Sequence, residues 1–124
     1  MASIEDVRPL GSSLERAYEV VVRGRVKWRV GQIVFAAFSV DETIMGFGFP
    51  KEERAALVAG EPHKFLMPSP ADQRFNWVLT RVDGLGPAEA RELFVDAWRM
   101  VVPQRVARAY DEAFPDGPGA GHRA

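Results

Sequence analysis

The stretch Val20-Val21-Val22-Arg23-Gly24-Arg25-Val26-Lys27-Trp28-Arg29-Val30-Gly31-Gln32-Ile33-Val34-Phe35-Ala36-Ala37-Phe38 decides the fold. Val20, Val22, Val26, Trp28 and Val30 alternate with Val21, Arg23, Arg25, Lys27 and Arg29, the period of two that marks a half-buried strand. Gly24 is the natural bend or hairpin point, and Gly31-Gln32 can turn the chain again. Residues 33–40 are apolar on both faces, as a central strand is. Asp41-Glu42 is a link of hairpin length, after which Met45, Phe47 and Phe49 fall on one face of a further strand and Ile44, Gly46 and Gly48 on the other. The reading is an antiparallel meander.

Outward from this core, Ser3 followed by Glu5 and Asp6 reads as an N-cap with acids in the first turn of a short helix. Pro9 requires that helix either to start nearer Val7 or to kink, and Gly11, Ser12 and Ser13 read as its exit, with a further helical turn open over residues 14–18. Pro50 suits the opening of a helix over residues 51–59 that Gly60 ends. Phe65-Leu66-Met67 reads as a short edge strand and residues 75–82 as the last strong strand. Pro87 opens the longest helix, in which Ala90, Leu93, Phe94, Ala97, Trp98 and Val101 recur at three and four; Pro103 restarts a final one carrying Val106, Tyr110, Ala113 and Phe114. The sum is an α+β fold: an antiparallel sheet of about five to six strands covered by helices, in one domain over residues 1–114, with a disordered Gly- and Pro-rich tail at 115–124.

Composition bounds the function. The 124 residues are 47% hydrophobic and 27% charged, as in an ordinary globular domain. There is no cysteine, so disulfides, thiolate metal sites and cysteine nucleophiles are excluded, and His63 and His122 are too few and too far apart for a zinc cage. No apolar run approaches the length of a membrane helix, and Glu5 and Asp6 stand where a signal peptide carries a basic start, so the expected location is the cytoplasm, away from membranes.

The net charge of −1 gives the molecule no overall attraction to nucleic acid, so any such partner must be met by a local patch. Residues 20–40 hold four cations, Arg23, Arg25, Lys27 and Arg29, and no acid. If the strand runs unbroken through Gly24, these four share a face at about 7 Å intervals and form a ridge for phosphates. The same row also reads as a solvated outer face whose arginines pair with Glu15, Glu19 or acids on adjacent strands, and which blunts a sheet edge. If Gly24 is a turn, the row splits. Trp28 alternates out of phase with the arginines and belongs to the core, as do Trp77 and Trp98 on their apolar stripes.

The run Lys27-Trp28-Arg29-Val30-Gly31-Gln32-Ile33-Val34-Phe35-Ala36 resembles the MmcQ/YjbR family, in which an aromatic or aliphatic residue, a cation and Val lead into Gly, Lys, an apolar residue and Phe-Ala. Pro50-Lys51-Glu52-Glu53-Arg54, Pro62, Asn76-Trp77-Val78 and the segment from Asp96-Ala97-Trp98-Arg99 to Pro103 follow in the family's order, so the resemblance spans roughly residues 4–114. Gln32 and Asn76 depart from it where the family often has a lysine and a histidine, and Ser12-Ser13-Leu14 stands where its Pro-Gly is common. The resemblance implies a single α+β domain, compared with secretion-chaperone-like, frataxin-like and double-wing folds, and a DNA-binding role.

Chemistry-bearing groups are sparse. Ser12, Ser13 and Ser39 have only His63 as a conceivable base, and His63 reads as a loop residue. Glu52-Glu53 and Asp111-Glu112 diverge on helical surfaces, and Glu5, Asp6, Glu15 and Glu19 are too sparse for an iron-binding ridge. Gly46-Phe47-Gly48 lies inside a strand and is no phosphate loop; its glycines admit close packing or leave a shallow groove, near which Asn76 is a candidate. No catalytic residue, cofactor or metal is expected. The leading expectation is a non-catalytic domain making weak, sequence-independent contacts to the DNA backbone through Arg23, Arg25, Lys27 and Arg29. The alternative is a protein-interaction domain that holds a partner, or a second copy of itself, on the groove near Gly46 and Gly48.

Overall fold

A computed structural model describes residues 1–118. Its elements run α1 (Ile4–Ser13), β1 (Ala17–Val22), β2 (Arg25–Val30), β3 (Ile33–Phe38), β4 (Ile44–Gly48), α2 (Lys51–Gly60), β5 (Phe65–Leu66), β6 (Trp77–Arg81), α3 (Pro87–Arg99) and α4 (Gln104–Ala113). The six strands form one antiparallel sheet in the order β1-β2-β3-β4-β6-β5. The α+β class and the strand count follow the expectation.

Two-residue turns set the parity of the meander. Arg23 (φ 53°) and Gly24 (φ 79°) are both left-handed, the geometry that matches the twist of a tight hairpin. The turn pairs Val22 with Arg25, Val20 with Lys27 and Tyr18 with Arg29. Paired residues share a face, so Val20 and Val22 lie beside the cations and not, as the running alternation suggested, beside Trp28. The strand does not run through Gly24, and the row of four becomes three residues of β2 with Arg23 set apart in the turn.

Three further expectations change. The link between β3 and β4 is a five-residue loop, 39–43, because Asp41 organises it: its carboxylate accepts from the Ser39 hydroxyl at 2.8 Å, the Thr43 hydroxyl at 2.7 Å and the Thr43 N–H at 3.1 Å. Helix α1 runs on through Gly11 and Ser12 with Pro9 inside it, and no helical turn follows before β1. On β3 the pairing steps from Trp28–Ala36 to Arg29–Val34, skipping Phe35. This bulge puts Phe35 and Ala36, adjacent in sequence, both into the core.

Helices α1 and α3 cover one face. Trp28, Ala36, Phe47 and Val78 form one cross-strand row there, all buried, and Trp28 meets Phe94 of α3 edge-on at 5.1 Å and Phe38 at 5.8 Å. Trp98 donates its indole N–H to the Glu15 carbonyl at 2.9 Å, so both of these tryptophans are core residues as expected. Of the segment 115–124, Gly117 donates to the Phe114 carbonyl at 3.0 Å and Pro118 is buried, while 119–124 lie outside the described residues.

Candidate functional site

The adjacent cross-strand row points the other way. Val20, Lys27, Ala37, Gly46, Leu79 and Leu66 are successive partners across all six strands. Between β2 and β6 this face is part of a groove of about 920 Å³ whose lining also takes in Ala97, Met100 and Val101 at the end of α3. Arg25 and Lys27 stand on its β2 side, and Trp77 and Leu79 on its β6 side. The middle is low because Ala37 and Gly46 are small. A Cβ on Gly46 would fall 2.5 Å from the Trp77 ring, so the indole lies directly on the glycine backbone. Trp77 is therefore half-buried on the open face and lines the groove, contrary to its expected place in the core.

Among the described residues no acid forms an ion pair with the cations of β2. Arg25, Lys27 and Arg29 are spaced about 6.7 Å apart along the strand. The ion pairs among the described residues lie elsewhere: Glu19 is held by Arg8, Glu15 by Arg16, and Asp96 and Asp111 by Arg99. Glu19 cannot serve the stripe because its partner across the strands is Trp28, which puts it on the helix-covered face. Arg29 also buries its Nε without a hydrogen-bond partner. Among the described residues Asp72 is the one acid lining the groove, and it stands on the loop side with Phe75 and Asn76.

That loop is fixed by a buried cation. Arg54 of α2 is 6% exposed and donates Nη1 to the carbonyls of Phe75 (3.0 Å) and Trp77 (2.9 Å) and Nη2 to that of Gln73 (2.8 Å). A guanidinium taken from water needs such acceptors, and three carbonyls from one segment give it a rigid seat. Asn76 braces the same segment: its Oδ1 accepts the Lys51 backbone N–H at 3.0 Å, satisfying an orphan donor at the start of α2 that Pro50 cannot cap. Phe75, 51% exposed, carries the Arg74 guanidinium at 4.7 Å from its ring centre.

The expected site residues thus separate. Arg25, Lys27, Gly46, Gly48 and Asn76 line one groove, Arg29 extends the row of cations beyond it, and Arg23 stays in the hairpin turn. Sequence reasoning missed Arg54, which looks like one more charge beside Glu52 and Glu53, and the platform of Phe75 and Trp77. The interleaving Arg74-Phe75-Asn76-Trp77 was the available signal.

Among the described residues, His63 and the Ser39 hydroxyl stand apart. His63 is exposed, with its carbonyl accepting from Arg81 Nε at 3.2 Å, and the Ser39 hydroxyl is committed to Asp41. The hydrogen bonds from Thr43 and Ser39 hold the Asp41 carboxyl below the usual carboxylate range. No group of three or more His, Cys, Asp or Glu among the described residues is placed to hold a metal ion, and no described helix is long and apolar enough to cross a membrane.

A solved structure, Deinococcus radiodurans protein DR2400 with family-model domain DUF419, matches at TM-score 0.72 over 100% of this chain and 97% of that one. The two are 17% identical, so the likeness is one of fold. No curated protein matches the chain. The YjbR family model matches residues 12–100, which takes in the whole sheet, the Arg54 anchor and every lining residue of the groove but Val101, and the chain belongs to the YjbR family.

Proposed function

We propose that the domain is a non-catalytic, cytoplasmic nucleic-acid-binding module that holds backbone phosphates on Arg25, Lys27 and Arg29. The observation that carries this reading is the absence of any acid in ion-pair contact with these three residues among the described residues, on a strand whose other face is sealed by helices. Like charges about 6.7 Å apart lie within one Debye length of each other at physiological salt. Their mutual repulsion is relieved by an anion of matching pitch. With a net charge of −1 there is no long-range steering, so the contact is weak and read by backbone alone.

Fluorescence anisotropy with a labelled oligonucleotide at low salt tests this. Three neutralised phosphates give a log–log salt slope of about −2.7 on a duplex and about −2.1 on a single strand. Lys27→Glu weakens binding about tenfold and flattens the slope. Arg23→Asn is the control: it suits the left-handed turn, is off the row, and leaves affinity nearly unchanged. Affinity indifferent to Lys27→Glu would falsify the proposal.

The exposed apolar residues Ile33 (55%), Phe75 and Met100 (42%) on the groove favour a second reading, a protein-interaction surface or homodimer. Sedimentation showing a dimer that Phe75→Glu dissociates would support it.

A further inference from the structure

Resting on the nucleic-acid reading above, we infer that the ligand of this groove is a single strand, its phosphates on β2 and its bases laid over the Ala37–Gly46 floor against Trp77 and Phe75. A duplex keeps its bases stacked inside and can use only the cations, leaving the apolar side of the groove in water. A single strand offers both a charged edge and flat apolar faces, and the groove is divided in the same way.

The division is directional. Strands β2 and β6 are three spacings apart, about 14 Å. Lys27 and Trp77 line the two sides of that span, so a sugar and base lie between them. Two cations, Arg25 and Lys27, line the β2 side, whereas on the loop side the charge of Asp72 offsets that of the Arg74 guanidinium lying on Phe75. The backbone therefore tracks along β2 and the bases point toward β6. Open antiparallel sheets carrying aromatic side chains are an established platform for unpaired bases.

The platform is in place before the ligand arrives. Arg54 holds the carbonyls on either side of Asn76, Asn76 is tied to α2, and Phe75 is packed under Arg74. Little ordering of the loop is needed on binding. The low floor is equally specific: any side chain at Gly46 would meet the Trp77 ring and raise it into the space the base uses.

Three probes of equal length separate the inference from the reading beneath it: oligothymidine of about 12 nucleotides, a duplex, and an abasic deoxyribose-phosphate strand. The expected result is that oligothymidine binds about 5- to 150-fold more tightly than the abasic strand, more tightly than the duplex, and quenches tryptophan fluorescence, which the abasic strand does not. The exposed Phe75→Ala, which keeps the fold, lowers oligothymidine affinity alone; Trp77→Ala, checked for folding by thermal melting, lowers it further and removes the quenching. Equal binding of the abasic and base-bearing strands, or tighter binding of the duplex, overturns the single-strand inference and leaves phosphate binding standing. Binding of none of the three overturns both. A dimer that buries the groove while oligothymidine still binds undiminished also overturns it, by placing the strand elsewhere.

Discussion

Two tryptophans on opposite faces of the sheet show how differently one sheet uses its two sides. Trp28 and Trp77 each lie against a glycine: a Cβ on Gly11 would fall 2.2 Å from the Trp28 indole nitrogen, and one on Gly46 would fall 2.5 Å from the Trp77 ring. Trp28 is then roofed by Phe94 and Phe38 and fully buried, with its N–H left unpaired. Trp77 has no roof. On the covered face stability comes from apolar burial between layers, whereas on the open face a polar pin, Arg54, keeps the side chains of one loop in place.

The comparison breaks most sharply at Trp28. Trp28→Ala empties a closed site and costs about 3–5 kcal/mol in urea unfolding, with Trp77→Ala well below it. Equal losses at the two positions would mean that the open face is covered in solution. Arg54→Met keeps the stem and removes the donors, leaving three carbonyls unpaired, for a loss of about 2–4 kcal/mol. An unchanged urea midpoint would show that the loop is held by something else.

The two glycines sharpen the same contrast. Gly11→Ala drives a methyl into an enclosed indole and costs about 1–3 kcal/mol. Gly46→Ala costs less than about 1 kcal/mol, since Trp77 can rotate toward the groove, but shifts the emission of the one half-buried tryptophan to the red. A separate effect is one of pH. Tyr110 packs on Trp98, and burial pushes its phenol up to about 12 from an ordinary value near 10. The unfolded chain gives up this proton first, so the contribution is complete below pH ~10 and is lost as pH rises from about 10 to about 12. Tyr110→Phe removes that part of the alkaline loss, read from urea midpoints across the range.

Elements were more legible in the sequence than faces. Period two, Gly24 and the prolines at 50, 87 and 103 located nearly every strand and helix, since these signals are local. Which side a residue faces is settled by pairing. A two-residue turn couples Val22 to Arg25, so alternation restarts at the hairpin and the apparent continuity of Val20, Val22 and Val26 dissolves. On β6 the alternate sets Trp77, Leu79, Arg81 and Val78, Thr80 are each partly apolar, and the inward set is the one with the threonine. Thr80 is accepted there because its hydroxyl donates to the Lys64 carbonyl at 3.1 Å. Of the site, the cations and the glycines were visible; the platform was not, because Arg54 finds its acceptors 19, 21 and 23 residues away.

The bulge at Phe35 gives chain length an unequal value along the molecule. Deleting one residue there would let β2 and β3 pair without a skip, at the cost of exchanging inside for outside over residues 33 and 34 and dragging the Gly31 turn around with them. A residue added or removed at the exposed tip of the 39–43 loop disturbs the Asp41 hydrogen bonds and leaves the core rows of β3 and β4 where they are. Homologous chains should therefore keep a constant count between the Gly31 turn and the end of β3, and spend their insertions beyond it.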